Sequence, residues 1–315
     1  MTKRMVLLFI IFSLINLIAV IPAENLITDI FSHFLLQFFV INILFAVLFI
    51  FFSFKNKKFI ILLILSFLLC GLNFALIYSA KNNEDSQQLQ TSDIKNISLG
   101  VINVLTSNNK YSELMQIIRN ENPDILILQE TDDIWLSNIE DIKKIYPYRI
   151  EHTRFDNFGM ALYSKIPLIN PAVVKWTELE VPIIKTQIKP GNEIYTIYAI
   201  HTLPPTSRDY LAKRNEMLAN ITKITATKKN IIIAGDLNTT IYSRAYRKNI
   251  SGAGLKDSQA ETSTLSGTWN SRHLPFFRIS LEHVLTSQNI KTTSFRLGKF
   301  FGSDHFPIFV NIELK

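Results

Sequence analysis

Apolar residues run almost unbroken through three stretches near the start of the chain, about residues 5–21, 34–54 and 59–78, and none of the three holds a charged side chain. Crossing a hydrocarbon core of ~30 Å takes ~20 apolar residues in a helix, so each stretch is long enough, or nearly so, to span a membrane. Helices buried in soluble domains normally keep a polar face; these keep none. Beyond residue 80 the pattern changes to short apolar runs between polar ones. Residues 81–96 are polar and lack aromatics, the composition of a linker, and a folded domain is expected over 97–315. Within it, 97–104, 124–128, 159–164, 183–188, 193–200, 230–234, 281–285 and 308–312 read as strands. Each is a short β-rich run, several of them bounded by turn residues. Residues 113–119 and a segment from Ser207 to about 227 read as helices. Ser207 caps the second, and Leu211, Met217, Leu218, Ile221 and Ile224 give it one apolar face. Strands that come in runs broken by few helices fit two packed sheets with helices outside.

Charge sets the expected orientation. Lys3 and Arg4 precede the first span, Glu24 and Asp29 follow it, and Lys55, Lys57 and Lys58 fill the loop before the third. Basic loops stay cytoplasmic, so three crossings place everything after Tyr78 outside the cytoplasm. If the first span were instead a signal peptide cleaved near Pro22-Ala23, the destination would be the same. Five basic and two acidic residues lie in the first eighty; with 33 and 26 in the whole chain, the remainder carries a net charge of only +4. That is too little for a basic stripe that grips long nucleic acid by its phosphates. The single cysteine, Cys70, lies inside the third span, so stability of the domain has to come from its core.

Polar residues gather at the ends of the apolar runs. In order they are Ile102-Asn103-Val104, Leu128-Gln129-Glu130, Ile200-His201-Thr202, Gly235-Asp236-Leu237-Asn238 and Ser303-Asp304-His305. Asp304 and His305 are neighbours, and neighbours on a strand face opposite ways. They share a pocket only if the strand ends there, as Gly302-Ser303 permits. Taken together, the five segments resemble the signature of the endonuclease/exonuclease/phosphatase superfamily over roughly residues 97–315. The resemblance implies a four-layered α/β sandwich, two packed β-sheets flanked by helices, here preceded by three transmembrane helices. It also implies phosphoester hydrolysis with Mg²⁺ or Mn²⁺. Glu130 matches the principal metal ligand, with Asn103 and Asp304 completing the site, and hard cations of this kind take oxygen ligands.

By the same resemblance Asp236 orients or deprotonates the attacking water and Asn238 holds a phosphate oxygen. Asn238-Thr239-Thr240 is also a glycosylation sequon, but a glycan there would block the pocket. His201 and His305 match the histidines that contact the scissile phosphate. The family's orienting aspartate before the last strands is here Glu282, one methylene longer, which is expected to move the His305 imidazole by about 1 Å. Trp269 either walls the pocket or fills core, and His152, His273 and His283 have no assigned role. The expected activity is that of a membrane-anchored phosphodiesterase or phosphatase outside the cytoplasm, acting on lipid headgroups or small phosphodiesters. The alternatives are an extracytoplasmic nuclease and a non-catalytic sensor or scaffold that keeps the fold. Besides the lipid bilayer and a phosphoester substrate, no obligate protein partner is implied.

Overall fold

The computed structural model describes residues 2–81, 95–176, 178, 181–226, 228–262 and 266–314, so the expected linker falls almost wholly outside the described residues. The chain opens with helices α1 (Thr2–Val20), α2 (Leu26–Ser32), α3 (Leu35–Ser53) and α4 (Phe59–Lys81). α1, α3 and α4 are long and apolar enough to cross a membrane. Polar side chains between apolar helices are costly unless partnered. Each of the three helices supplies one asparagine to a shared cluster, in which Asn16, Asn42 and Asn73 are linked by hydrogen bonds of 3.1, 3.1 and 3.2 Å. The short α2 was not expected, since seven residues carry too little periodicity. Its start is nonetheless written locally: Asn25 accepts from the Ile27 and Thr28 amides, and Thr28 returns its hydroxyl to the Asn25 amide as a capping box.

Twelve strands follow among the described residues: β1 (Lys95–Asn103), β2 (Ile125–Gln129), β3 (Tyr148–His152), β4 (Met160–Ser164), β5 (Ile169–Lys175), β6 (Pro182–Ile188), β7 (Tyr195–His201), β8 (Ile231–Asp236), β9 (Lys256–Asp257), β10 (Glu282–Thr286), β11 (Lys291–Leu297) and β12 (Ile308–Leu314). The helices between them are α5 (Tyr111–Glu121), α6 (Asp133–Asn138), α7 (Ile142–Ile145), α8 (Arg208–Thr225), α9 (Arg244–Asn249) and the one-turn α10 (Ser258–Glu261). One sheet has the order β11-β12-β1-β2-β4-β3 and the other β5-β6-β7-β8-β10-β9. All eight strands expected from sequence are present. The four that were missed, β3, β5, β9 and β11, are the four sheet edges. β3 and β5 have no fully buried residue and β11 buries only Thr292 and Phe295, so their apolar signal is weak; β9 is buried but consists of just two charged residues, Lys256 and Asp257.

The two sheets face each other across a core that includes Val101, Ile127, Leu162, Ile197, Ile232 and Val284. α5 and α6 cover the outer face of the first sheet, with Leu114, Ile118 and Trp135 against Ile102, Leu126 and Leu128. α8 and α9 cover the second, where Met217, Leu218 and Ala245 meet Ile183, Ile200 and Ile233. This is the four-layered α/β sandwich. The same outer cluster takes in Leu35 and Ala80 from the long N-terminal helices, so these helices pack on the domain directly.

Polar contacts fix that docking. Arg214 of α8 is fully buried and meets Asp29 of α2 through two hydrogen bonds of 2.6 and 2.8 Å. His33 Nδ1 lies 3.1 Å from Thr240 Oγ1, and Gln37 of α3 donates to the Phe276 and Arg278 carbonyls. At the exposed rim, Glu24 pairs with Arg244 and Lys248.

Candidate active site

Strand register brings the polar ends together. In the first sheet Asn103 lies beside Gln129, and in the second His201, Asp236 and Glu282 lie side by side across β7, β8 and β10. Gln129 ties the two sheets at this point: its Nε2 donates to the Ile200 carbonyl at 2.7 Å and its Oε1 accepts the Asp236 amide at 3.2 Å. That close approach explains Gly235. At φ +148° a Cβ there would sit 1.8 Å from the Ile200 carbonyl oxygen, which no side chain tolerates. Just past the strand ends, Glu130 (φ 62°) and Asn238 (φ 45°) take left-handed backbone, at ~1–2 kcal/mol each. The turn directs their side chains into the cleft, as strain at functional sites commonly does. Gly302 (φ 102°) provides the turn that lets Asp304 and His305 reach the same cleft before β12 begins.

Every residue singled out from the sequence except Asn103 and Glu282 lines one cleft of about 600 Å³, and those two stand behind it. Asn103 donates to Glu130 Oε1 at 2.8 Å while its own oxygen accepts the Leu105 amide, so it orients Glu130 instead of presenting an oxygen ligand. Thr106 adds a hydroxyl bond to the Glu130 carbonyl. Glu282 is fully buried and forms a short hydrogen bond with His305 Nδ1, so the longer side chain still reaches the ring. Trp269 is a wall of the cleft, not core, and its indole N–H donates to Asp304 Oδ2 at 3.1 Å.

Asp236 Oδ2 is flanked by His201 Nε2 at 3.7 Å and His305 Nε2 at 3.9 Å. Burial pushes the Asp236 carboxyl up; His305 pulls it down and Glu282 adds to the rise, leaving it at about 7. Burial opposes protonation of His305, but the charge and hydrogen bond of Glu282, with Asp236 and Asp304, hold it up to about 10. His201 moves the other way: burial and the charge of His305 lower it to about 3, so it is a neutral ring at pH 7. The Asn238 amide N–H bonds Asp236 Oδ1 at 2.7 Å, and its side chain donates to the Thr202 carbonyl.

For a divalent cation the best-fitting atoms are carboxylate oxygens. Burial raises the Glu130 carboxyl, and the charge of Asp304 adds to the rise against the Asn103 hydrogen bond and His305. Asp304 Oδ1 is buried with no hydrogen-bond partner among the described residues. Two carboxylates that line one cleft, one with an orphaned oxygen, suit a hard cation. Asp236, Glu282 and His305 also bring three ligand atoms within 4.8 Å, but His305 Nδ1 is already bonded to Glu282.

Sequence reasoning missed several contributors. Ile30, His33 and Phe34, from α2 and the turn after it, line the cleft together with Phe158, His201 and Tyr210. Arg214 carries the Asp29 contact on to the site by donating to the Asn238 carbonyl at 3.0 Å. His283 bridges Asp257 (2.6 Å) and the Thr239 carbonyl (2.9 Å), propping the loop that holds Asn238. Of the supporting residues only Gln129, next to Glu130 at the end of an apolar run, carried a local signal.

The sequence model of the Endonuclease/Exonuclease/phosphatase family matches residues 97–305. Among curated proteins no match is found. Solved structures are similar in fold. TDP2 of D. rerio, crystallised with a single-strand DNA product, superposes with TM-score 0.58 at 16% identity over 69% of this chain and 99% of its own. An endonuclease/exonuclease/phosphatase from Bacteroides vulgatus gives 0.58 at 16% over 70% and 100%. TDP2 from Caenorhabditis elegans gives 0.58 at 18% over 91% and 94%.

Proposed function

The chain belongs to the endonuclease/exonuclease/phosphatase family and is a metal-dependent hydrolase of phosphoester bonds; from that premise we propose that it is anchored by α1, α3 and α4 with its domain outside the cytoplasm, and cleaves phosphoesters of membrane lipids using Mg²⁺ or Mn²⁺. The observation that carries this reading is the cleft wall built from Ile30, His33 and Phe34. These residues lie between the first two candidate spans, so the reacting groups stand beside the bilayer surface. The orientation is supported by the position of α2, which packs on the domain, while Lys55, Lys57 and Lys58 occupy the opposite end of the helices; basic loops stay cytoplasmic.

A cation held by Glu130 and Asp304 would neutralise phosphoryl oxygens. The chain's own residues supply the proton chemistry and the positioning. Asp236 takes the proton of the attacking water at Oδ2, and a pKa of about 7 suits a general base at neutral pH. Cationic His305, held by Glu282, faces the charge that develops on the phosphoryl group. Neutral His201 and the Asn238 amide add hydrogen bonds without adding charge.

The test is hydrolysis by the full-length protein in phospholipid vesicles, compared with bis-p-nitrophenyl phosphate and single-stranded DNA, in Mg²⁺, Mn²⁺ and EDTA. Metal-dependent turnover of lipid is expected. Single-stranded DNA is the competing substrate because one similar structure holds it as product; turnover of DNA with lipid left intact would move the reading to a nuclease. No turnover of any of the three would leave a scaffold that keeps the fold.

A further inference from the structure

Trp269 and Ile279 pair with each other in an antiparallel bridge and both line the cleft. Between them the chain leaves as a loop, 270–278, whose tip is apolar and exposed. Leu274 is 71% accessible, Phe276 40% and Phe277 53%. The patch continues through Phe306, which Arg278 covers at 4.6 Å and Phe300 touches at 6.1 Å; Phe300 is itself 53% accessible. Arg278 lies over the Phe306 ring, Arg272 and Lys299 are close to these residues in sequence, and neither 266–281 nor 296–303 contains an acidic residue. Exposed aromatic and aliphatic side chains rimmed by cations mark an interaction surface, and the pairing suits the interfacial layer of a bilayer.

The height of the loop is fixed by α3. Gln37, in the first turn of that helix, donates to the Phe276 carbonyl at 3.0 Å and the Arg278 carbonyl at 3.2 Å. α3 has 19 residues, roughly 28 Å at ~1.5 Å per residue, with no length to spare against ~30 Å of hydrocarbon. With α3 spanning the bilayer as proposed above, its first turn lies at the hydrocarbon boundary, and the loop tied to it lies at headgroup depth. We propose that residues 272–278, together with Phe300, form a membrane-contact surface that enters the headgroup layer beside α3, with Arg272, Arg278 and Lys299 meeting lipid phosphates. The surface delivers lipid phosphoesters to the cleft, a consequence that rests on the lipid reading above. Contact with the bilayer does not depend on it.

The experiment separates the two. Full-length protein carrying Cys70→Ser and Leu274→Cys is labelled with an environment-sensitive fluorophore in phosphatidylcholine–phosphatidylglycerol vesicles. Ser137→Cys, exposed on α6 in the far helix layer, serves as the reference. Blue-shifted emission at 274, quenched by headgroup-depth nitroxide lipids and shielded from iodide, is expected; emission and iodide access equal to those at 137 would overturn the inference. In parallel, Leu274→Glu with Phe277→Glu is expected to lower turnover of vesicle lipid at least ~10-fold while bis-p-nitrophenyl phosphate is cleaved at the wild-type rate. Unchanged lipid turnover in that variant would overturn the delivery role. If wild-type protein cleaves no substrate, the hydrolase reading fails, and the fluorescence result alone decides membrane contact.

Discussion

Replacing Asp29 by Asn tests whether the segment between the first two long helices is part of the catalytic apparatus. Arg214 is fully buried, and Asp29 is its only anionic partner within hydrogen-bond distance among the described residues. Burial alone would raise the Asp29 carboxyl, yet the hydrogen bonds and charges of His33 and Arg214 lower it from 3.8 to about 2. At ~1.4 kcal/mol for each pH unit, that depression corresponds to about 2.5 kcal/mol. Removing one partner of a buried pair costs ~3–5 kcal/mol, because the other charge is left uncompensated. Taking ~3 kcal/mol, the ratio of docked to undocked α2 falls about 150-fold. Undocking strips Ile30, His33 and Phe34 from the cleft and leaves the Asn238 carbonyl without its docked Arg214 geometry.

Hydrogen exchange over residues 24–34 and turnover of lipid substrate, measured on the full chain, read the two consequences. Faster exchange in that segment and a loss of turnover are expected together. Replacing the pair by Asp29→Leu with Arg214→Met should restore docking in large part, since a buried ion pair is often no better than matched apolar residues. The sign of the pH dependence follows from the depressed pKa: the Asp29 contribution is complete above about pH 4 and is lost as the pH falls toward 2. Asp29→Asn should lack that acid-side loss. Wild-type exchange protection and turnover in Asp29→Asn would refute the reasoning.

Glu130→Ala is expected to cost at least ~10²-fold in rate with the fold intact, and EDTA should silence the wild type; persistent activity in either would remove the metal from the mechanism. With Asp236 as the base proposed above, turnover should rise through about pH 7 and fall toward pH 10 as His305 loses its proton, a bell-shaped profile that kcat measurements check. Glu282→Gln should lose activity, and His305→Ala added to it should cost little more if the two act as a unit; Glu282→Asp distinguishes a site adapted to the longer side chain, which slows, from a decayed one, which recovers. Asn16→Leu, which leaves Asn42 and Asn73 without their shared partner, should loosen the three-helix cluster by ~1 kcal/mol, read as earlier dissociation of α1 contacts in a denaturant titration in detergent.

Much of the architecture was legible because it is written locally. Membrane-length helices announce themselves by uninterrupted apolarity, and the central strands by runs such as Ile231–Ile233 that are buried on both faces. The edge strands were illegible for the converse reason: with one side open to solvent, β5 and β11 have mixed patterns that resemble loops. The site was partly legible. Glu130, His201, Asp236, Asn238, Asp304 and His305 stand at the ends of such runs, where a strand stops and a polar side chain has nowhere to go but the sheet's rim. Asn103 and Glu282 were recognised as belonging there, but which atom each presents was settled only by their neighbours.

What the amino-acid order determined by itself was the set of elements and the chemical types gathered at their ends, since both depend on residues within a few positions of one another. What tertiary structure alone decided was how those ends meet. Gln129 joins two sheets through contacts 71 and 107 residues away, His283 supports the Asn238 loop from 44 residues away, and Asp29 finds Arg214 across 185 residues. No spacing rule reaches that far. The energetic incentive for each contact, a buried donor or charge that needs a partner, exists only after the core has closed around it.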